Sequence, residues 1–236
     1  MKAVILAGGL GTRLRPFTEV IPKPLLPVGE QSLMEVQIQN LKRAGVQTIY
    51  VATNYKSDFV ESFLGDGSKY GLDLIFSCEP EPLGTCGPLS LLREHLDEPF
   101  LLMNGDILTK LNFKSLYDTG MASESNLTVG TKVIVTPFRF GNVQIDENDH
   151  IVALEEKPEL ALEILAGIYF MRPAILDRIP DGEYYGMDSL ITGMLSDKEP
   201  ISRFLIKDYW LDIGQVEDYS QAREEFDEHF KDQPAS

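Results

Sequence analysis

A short apolar run, Lys2 to Leu6, empties into Ala7-Gly8-Gly9-Leu10-Gly11-Thr12-Arg13, and no other segment constrains the fold as much. The run reads as a buried strand. Gly8, Gly9 and Gly11 carry no Cβ, so the backbone after it can turn sharply and offer its N–H groups to an anion at close range. Arg13, Arg15 and Lys23 supply positive charge, and Pro22, Pro24 and Pro27 stiffen the chain around Lys23. A strand that opens into such a loop predicts an α/β protein that holds phosphate. Two familiar phosphate loops are excluded. A P-loop needs a Lys-Ser/Thr pair that is missing here, and a dinucleotide fingerprint needs a third glycine where this chain has Leu14.

Charge is distributed in a way that fits this reading. The 236 residues hold 37 acidic and 21 basic side chains, a formal net charge of -16, which argues against binding a nucleic acid polymer. Residues 1–25 nevertheless carry Lys2, Arg13, Arg15 and Lys23 against the single acid Glu19. A locally positive site on an acidic body suits small anionic ligands held together with a divalent metal. Two cysteines, Cys78 and Cys86, make neither a disulfide framework nor a zinc site and read as buried free thiols. No signal peptide and no run of about 18 apolar residues is found, so a cytoplasmic protein without a membrane span is expected.

Along the first hundred residues strand and helix patterns alternate. Strands are expected at Lys2–Leu6, Thr48–Thr53, Leu72–Phe76 and Phe100–Met103. Helices are expected at Ser32–Ala44, from a Ser57 cap to Leu64, and around Leu89–Leu96. Helical crossovers of this length imply parallel pairing. After Leu108 the pattern turns β-rich, with strands at Leu127–Val135, Gly141–Ile145, Ile151–Glu155, Leu165–Met171, Arg203–Ile206 and Trp210–Ile213. A short helix follows Pro173, and an acidic amphipathic helix, Gln215–Phe230, closes the chain. The expectation is one domain, 1–236, with a nucleotide-binding half (1–110) and a β-rich half (111–236).

Ligands of open α/β sheets gather at the carboxyl ends of strands. The glycine loop lies at one such end, and Asn104-Gly105-Asp106 at another. Asp106 beside a phosphate loop is a natural Mg2+ ligand, and Asp212, boxed by Leu211 and Ile213, is a second. Glu155-Glu156-Lys157-Pro158 could meet hydroxyls and a phosphate, and Glu81-Pro82-Leu83-Gly84-Thr85-Cys86-Gly87 is a loop whose backbone could read a base edge. Three scattered histidines and the lack of a Gly-x-Ser-x-Gly elbow leave no support for hydrolase chemistry.

These residues together resemble the sugar-1-phosphate nucleotidyltransferases. The match is carried by Leu6–Pro16, Pro22–Pro27, Glu81–Thr85, Asn104–Asp106, Glu156–Pro158, Ala166–Tyr169 and Trp210–Gly214, in the family's order and across most of the chain. The resemblance implies a Rossmann-like (GT-A-like) three-layer sandwich around a mixed, mostly parallel sheet. It also implies condensation of a nucleoside triphosphate with a sugar 1-phosphate, releasing pyrophosphate, with Mg2+ as cofactor. By the same resemblance, Leu6, Ala7, Gly8, Gly9, Gly11, Thr12, Arg13, Glu81, Gly84 and Thr85 would bind the nucleotide. Arg13, Lys23 and Asp106 would be catalytic. Lys23, Gly141, Glu156, Lys157 and Gly167 would face the sugar phosphate, and Asp106 and Asp212 would hold the metal.

Some features depart from relatives. No hexapeptide repeat is present, Cys86 stands where Ala is common, and Asn142 adds polarity near the implied sugar pocket. The best substrate expectation is GTP with a mannose-, heptose- or amino-sugar 1-phosphate. The alternatives are a cytidylyl-, uridylyl- or thymidylyltransferase of the same fold, including one acting on phosphocholine or a polyol phosphate, or a catalytically idle regulatory subunit. Family members are often dimers or higher, which makes a homo-oligomer compatible with this chain.

Overall fold

The computed structural model describes residues 1–230; the last six residues of the expected domain span, 231–236, lie outside the described residues. A seven-stranded sheet organises the molecule. Its strands are β1 (Lys2–Leu6), β2 (Thr48–Thr53), β3 (Asp73–Cys78), β4 (Phe100–Asn104), β6 (Leu127–Pro137), β9 (Glu159–Met171) and β10 (Ile201–Leu205). The spatial order is β10-β6-β9-β4-β1-β2-β3. Pairing is parallel along β4-β1-β2-β3 and between β10 and β6, and antiparallel where β9 inserts between β4 and β6. Four of the shorter strands pair outside this sheet. β5 (Ile107–Thr109) pairs with β11 (Trp210–Asp212), and β7 (Asn142–Ile145) pairs with β8 (Ile151–Glu155).

Alternation along the central strands decides the layering. Ala3, Ile5, Leu101 and Met103 face one core, shared with helices α1 (Leu33–Arg43), α2 (Ser57–Leu64) and α3 (Phe113–Ala122). Val4, Phe100 and Leu102 face the other, shared with Leu89, Leu92 and helix α4 (Met187–Ser196). Both faces of the sheet are therefore covered, as parallel sheets require. Helix α5 (Val216–Phe230) builds a third core with Leu14, Leu26, Val28 and Ile213. The Tyr219 hydroxyl donates to the Pro27 carbonyl at 2.9 Å, so α5 clamps the proline-rich segment that carries Lys23.

Several local expectations change. Ser57 does not cap α2: the cap position is Lys56 in a left-handed conformation, without a side-chain hydrogen bond. The Leu89–Leu96 region is a 3-10 run, Gly87–Leu92, continued by turns. Helices α3 and α4 and strand β5 were not anticipated, and β9 starts six residues earlier than its apolar end suggested. Helix α3 was obscured by Gly120, a poor helix former. That glycine sits against the Phe170 ring, where any Cβ would collide. Cys86 is buried as expected, but Cys78 is exposed. Among the described residues no helix is long and apolar enough to cross a membrane.

Candidate active site

The carboxyl ends of β1 and β4 open onto a cleft of about 430 Å3. Its floor is the junction between those two strands. The Gly105 N–H donates to the Leu6 carbonyl at 2.8 Å, and a Cβ on Gly105 would stand 2.5 Å from the same oxygen. Only a glycine lets the β4 turn come this close to the phosphate loop. The loop itself, Ala7 to Gly11, lines the cleft and ends in Gly11 at φ +62°, followed by a 3-10 turn, Thr12–Leu14. Thr18 fixes that corner by donating from its hydroxyl to the Gly11 carbonyl at 2.8 Å.

Positive charge reaches the cleft from two sides. Lys23 begins a short 3-10 turn, Lys23–Leu25, and its Nζ donates to Asp106 Oδ2 at 2.6 Å with only 11% of its side chain exposed. Arg13 is exposed, lines the cleft, and makes no ion pair within the described residues. Its guanidinium lies under 4 Å from where a Cβ on Gly214 would be.

The two aspartates meet through the β5–β11 pairing. Asp212 stands opposite Ile107, and the Ile213 N–H donates to the Asp106 carbonyl at 2.9 Å. Buried Gln37 on α1 supports this turn, its amide donating to Ile107 O at 2.8 Å and Asn104 O at 3.4 Å; Asn40 does the same for Thr109 O at 2.9 Å. Asp212 is exposed and does not line the cleft, but it lies near enough to Asp106, Lys23 and Arg13 to feel their charges. Burial first, and then the Asp106 charge, push its pKa up, while Lys23 and Arg13 partly offset the rise. The Asp106 and Asp212 charges thus repel each other, with Lys23 and Arg13 offsetting part of that repulsion. No cluster of three or more metal-type side chains exists among the described residues. The donor set therefore fits an ion that takes one or two carboxylates and completes its shell with water and phosphate oxygens, which is the habit of Mg2+.

The remaining expected residues divide. Gly84 and Thr85 line the cleft, and Thr85 also caps α4 by accepting from the Met187 N–H at 2.8 Å. Gly167 is buried at φ +68°, where a Cβ would fall 2.7 Å from Asn104 Nδ2, so it supports the cleft floor. Glu81 is exposed and does not line the cleft. Gly141, Glu156 and Lys157 are also exposed and outside the lining. Gly141 and Glu156 do approach each other, at the foot of the β7–β8 hairpin.

Sequence reasoning missed Glu79 in the lining; Asn104 and Gly105, placed at a ligand-gathering strand end without a role of their own, line it too, as does Tyr184. Glu79 is 6% exposed, and its Oε2 accepts from the Leu83 N–H at 2.9 Å. A Cβ on Gly8 would lie 2.8 Å from Oε1. Burial raises its pKa, partly opposed by the Leu83 hydrogen bond. A signal for it existed: Glu79 directly follows β3, at a strand's carboxyl end.

Comparison with known proteins places the chain in a family. A sequence model described as Nucleotidyl transferase matches residues 2–229. Over 93% of its length the chain is 35% identical to a protein named probable mannose-1-phosphate guanylyltransferase 1 from Oryza sativa subsp. japonica. The match covers 63% of that protein, so the chain spans under two thirds of such relatives. Among solved structures it resembles a putative glucose-1-phosphate thymidylyltransferase from Bacillus anthracis, with a TM-score of 0.78, 24% identity, and coverage of 95% of this chain and 94% of that one. It also resembles HddC from Yersinia pseudotuberculosis complexed with GMP-PN, with a TM-score of 0.73, 28% identity, and coverage of 95% and 99%. The chain belongs to the Nucleotidyl transferase family.

Proposed function

We propose that this chain transfers a guanylyl group from GTP to a sugar 1-phosphate, forming a GDP-sugar and pyrophosphate. The observation that carries the reading is the convergence of Lys23, Asp106 and Arg13 on one cleft beside the glycine loop, with Asp212 within electrostatic reach of all three. A sugar phosphate monoester has a second pKa of about 6 and is largely dianionic at neutral pH. Its oxygen is already a nucleophile, so the absence of His, Ser and Cys from the cleft lining is no obstacle. The difficulty is repulsion between two anions. The backbone N–H groups of Gly8 to Thr12 and the Arg13 guanidinium would cradle the triphosphate, and Lys23 would carry charge to the reacting centre. The sugar phosphate oxygen bonds to the α-phosphorus as the bond to pyrophosphate breaks, and positioning supplies much of the acceleration. Asp106 and Asp212 are the residues that would hold Mg2+, whose charge offsets the negative charge of the phosphates when bound.

Glu79 supports the choice of GTP. An ionised carboxylate only accepts hydrogen bonds, and guanine's Watson–Crick edge offers adjacent N1–H and N2–H2 donors. The relatives named for guanylyl transfer and the GMP-PN complex of HddC point the same way. Mannose, heptose and amino-sugar 1-phosphates are the acceptors proposed. A matrix of five nucleoside triphosphates against a panel of sugar 1-phosphates, with Mg2+ and scored by pyrophosphate release, tests the proposal. The strongest release is expected with GTP. Release with no pair would leave a binding-only protein, and a clear preference for another base would displace GTP.

A further inference from the structure

Tyr184 is the only aromatic residue that lines the cleft among the described residues. Of the nine tyrosines it alone is exposed, with 74% of its surface open to solvent. Among the described residues its hydroxyl makes no hydrogen bond and its ring meets no other ring. The fold uses neither end of this side chain.

Its backbone, by contrast, is fixed. The Tyr185 N–H donates to the Leu83 carbonyl at 2.9 Å, and the Tyr185 carbonyl accepts from the Cys86 and Gly87 N–H groups at 2.9 and 3.0 Å. Gly84, at φ +82°, lets the two segments close. A Cβ there would stand 2.8 Å from Tyr185 O and 3.2 Å from Tyr184 Cε2, so the ring lies beside the Gly84 backbone. Leu83, buried at 4% exposure, joins this segment to Glu79: its N–H donates to Glu79 Oε2 at 2.9 Å while its carbonyl holds Tyr185. The buried carboxylate and the segment that carries the exposed ring are thus tied to the two polar groups of one residue.

From this juxtaposition we infer that Tyr184 is the base platform of the cleft, its ring stacking on the nucleobase whose Watson–Crick edge meets Glu79. The inference rests on the guanylyl reading and adds a specific contact to it. Every base has a flat π-face, so a tyrosine ring holds bases with little regard to sequence. A carboxylate accepts hydrogen bonds only and discriminates by edge. Tyr184 therefore supplies affinity, and Glu79 supplies the choice. A tyrosine suits the task because only two side-chain torsions need fixing when the base arrives.

Steady-state kinetics on the full chain test this. Tyr184→Ala should raise the KM for GTP roughly 10- to 100-fold, with a much smaller fall in kcat and little change in the KM for the sugar 1-phosphate. The KM for UTP should rise by a like factor, unlike the guanine-selective loss expected of Glu79→Gln. Tyr184→Phe keeps the ring face and should restore the wild-type KM. A second measurement needs no variant: nitration of Tyr184 by tetranitromethane, read by peptide mass spectrometry. A saturating non-hydrolysable GTP analogue with Mg2+ should slow it about tenfold, whereas inorganic tripolyphosphate with Mg2+, which carries no base, should not. With GTP turned over by the wild type, a KM for GTP that survives Tyr184→Ala, a rise confined to the sugar 1-phosphate, a loss that Tyr184→Phe shares, or equal protection by tripolyphosphate would each overturn the inference and leave the guanylyl reading standing. A wild type that neither binds nor turns over GTP would remove that reading, and the platform with it.

Discussion

Lys23 and Asp106, 83 residues apart in sequence, are joined by a 2.6 Å hydrogen bond at the mouth of the phosphate loop. Among the described residues, the only ammonium that contacts Asp106 is thus the one that should also serve phosphate. Replacing it has two separable consequences. Lys23→Met should lower turnover on the order of a hundredfold, as expected for a lost charge-stabilising group. It should also destabilise the cation-free protein by about 1–2 kcal/mol, less than a fully buried pair because Asp106 keeps 28% of its side chain exposed. Steady-state kinetics and urea unfolding measure the two, and Mg2+ should restore part of the stability but not the rate.

Arg13 lies in the same cleft without an ion pair among the described residues, so its loss should separate function from fold. Arg13→Ala is expected to reduce kcat on the order of a hundredfold or more while shifting unfolding free energy by no more than about 0.5 kcal/mol. Near-normal turnover in that variant would reject its assigned role.

Burial and the neighbouring Asp106 charge hold the Asp212 carboxyl above its ordinary range. The native protein thus keeps this proton to higher pH than the unfolded chain does. The stability it contributes is complete below the ordinary carboxylate value of about 3.9 and is lost as pH rises through the raised native value. At neutral pH the ionised group costs stability. Asp212→Asn should raise the Tm of the cation-free protein at pH 7.5. It should also abolish the further Tm gain that Mg2+ and GTP together give the wild type. Metal-dependent activity runs oppositely, falling as pH drops through the same value.

Glu79→Gln exchanges an acceptor for a group that also donates. The kcat/KM for GTP should fall roughly 10- to 100-fold, with a smaller change for UTP. Equal losses for both nucleotides would mean that Glu79 supports the Leu83 turn and does not read the base.

Gly105→Ala would place a methyl group 2.5 Å from the Leu6 carbonyl, between two central strands that cannot part easily. A loss of about 1–3 kcal/mol in urea unfolding is expected, together with reduced activity.

The central strands were legible because each is a continuous apolar run bounded by turn residues; Lys2–Leu6 and Thr48–Thr53 have those limits in the structure. Asp106 and Asp212 were legible as candidates because an acid beside apolar neighbours at a strand end needs a partner. Other features depend on tertiary contacts that spacing does not encode. Gly120 conceals α3 until the Phe170 ring against it is seen. Glu79 and Glu81 look alike in Glu-Pro-Glu-Pro, and only burial separates the residue in the cleft from the one outside it. The first half of β9 mixes Glu with Leu and Ala, so its seven-residue pairing with β6 could not be read from apolarity.

The account rests on a cation held jointly by Asp106 and Asp212 when nucleotide is present. Titration of Mn2+ by electron paramagnetic resonance, with a non-hydrolysable GTP analogue bound, tests this most directly. The wild type should take up a tightly bound Mn2+ that is weakened at least tenfold by Asp106→Asn and by Asp212→Asn alike. Unchanged uptake in either variant, with its fold intact, would contradict the shared site.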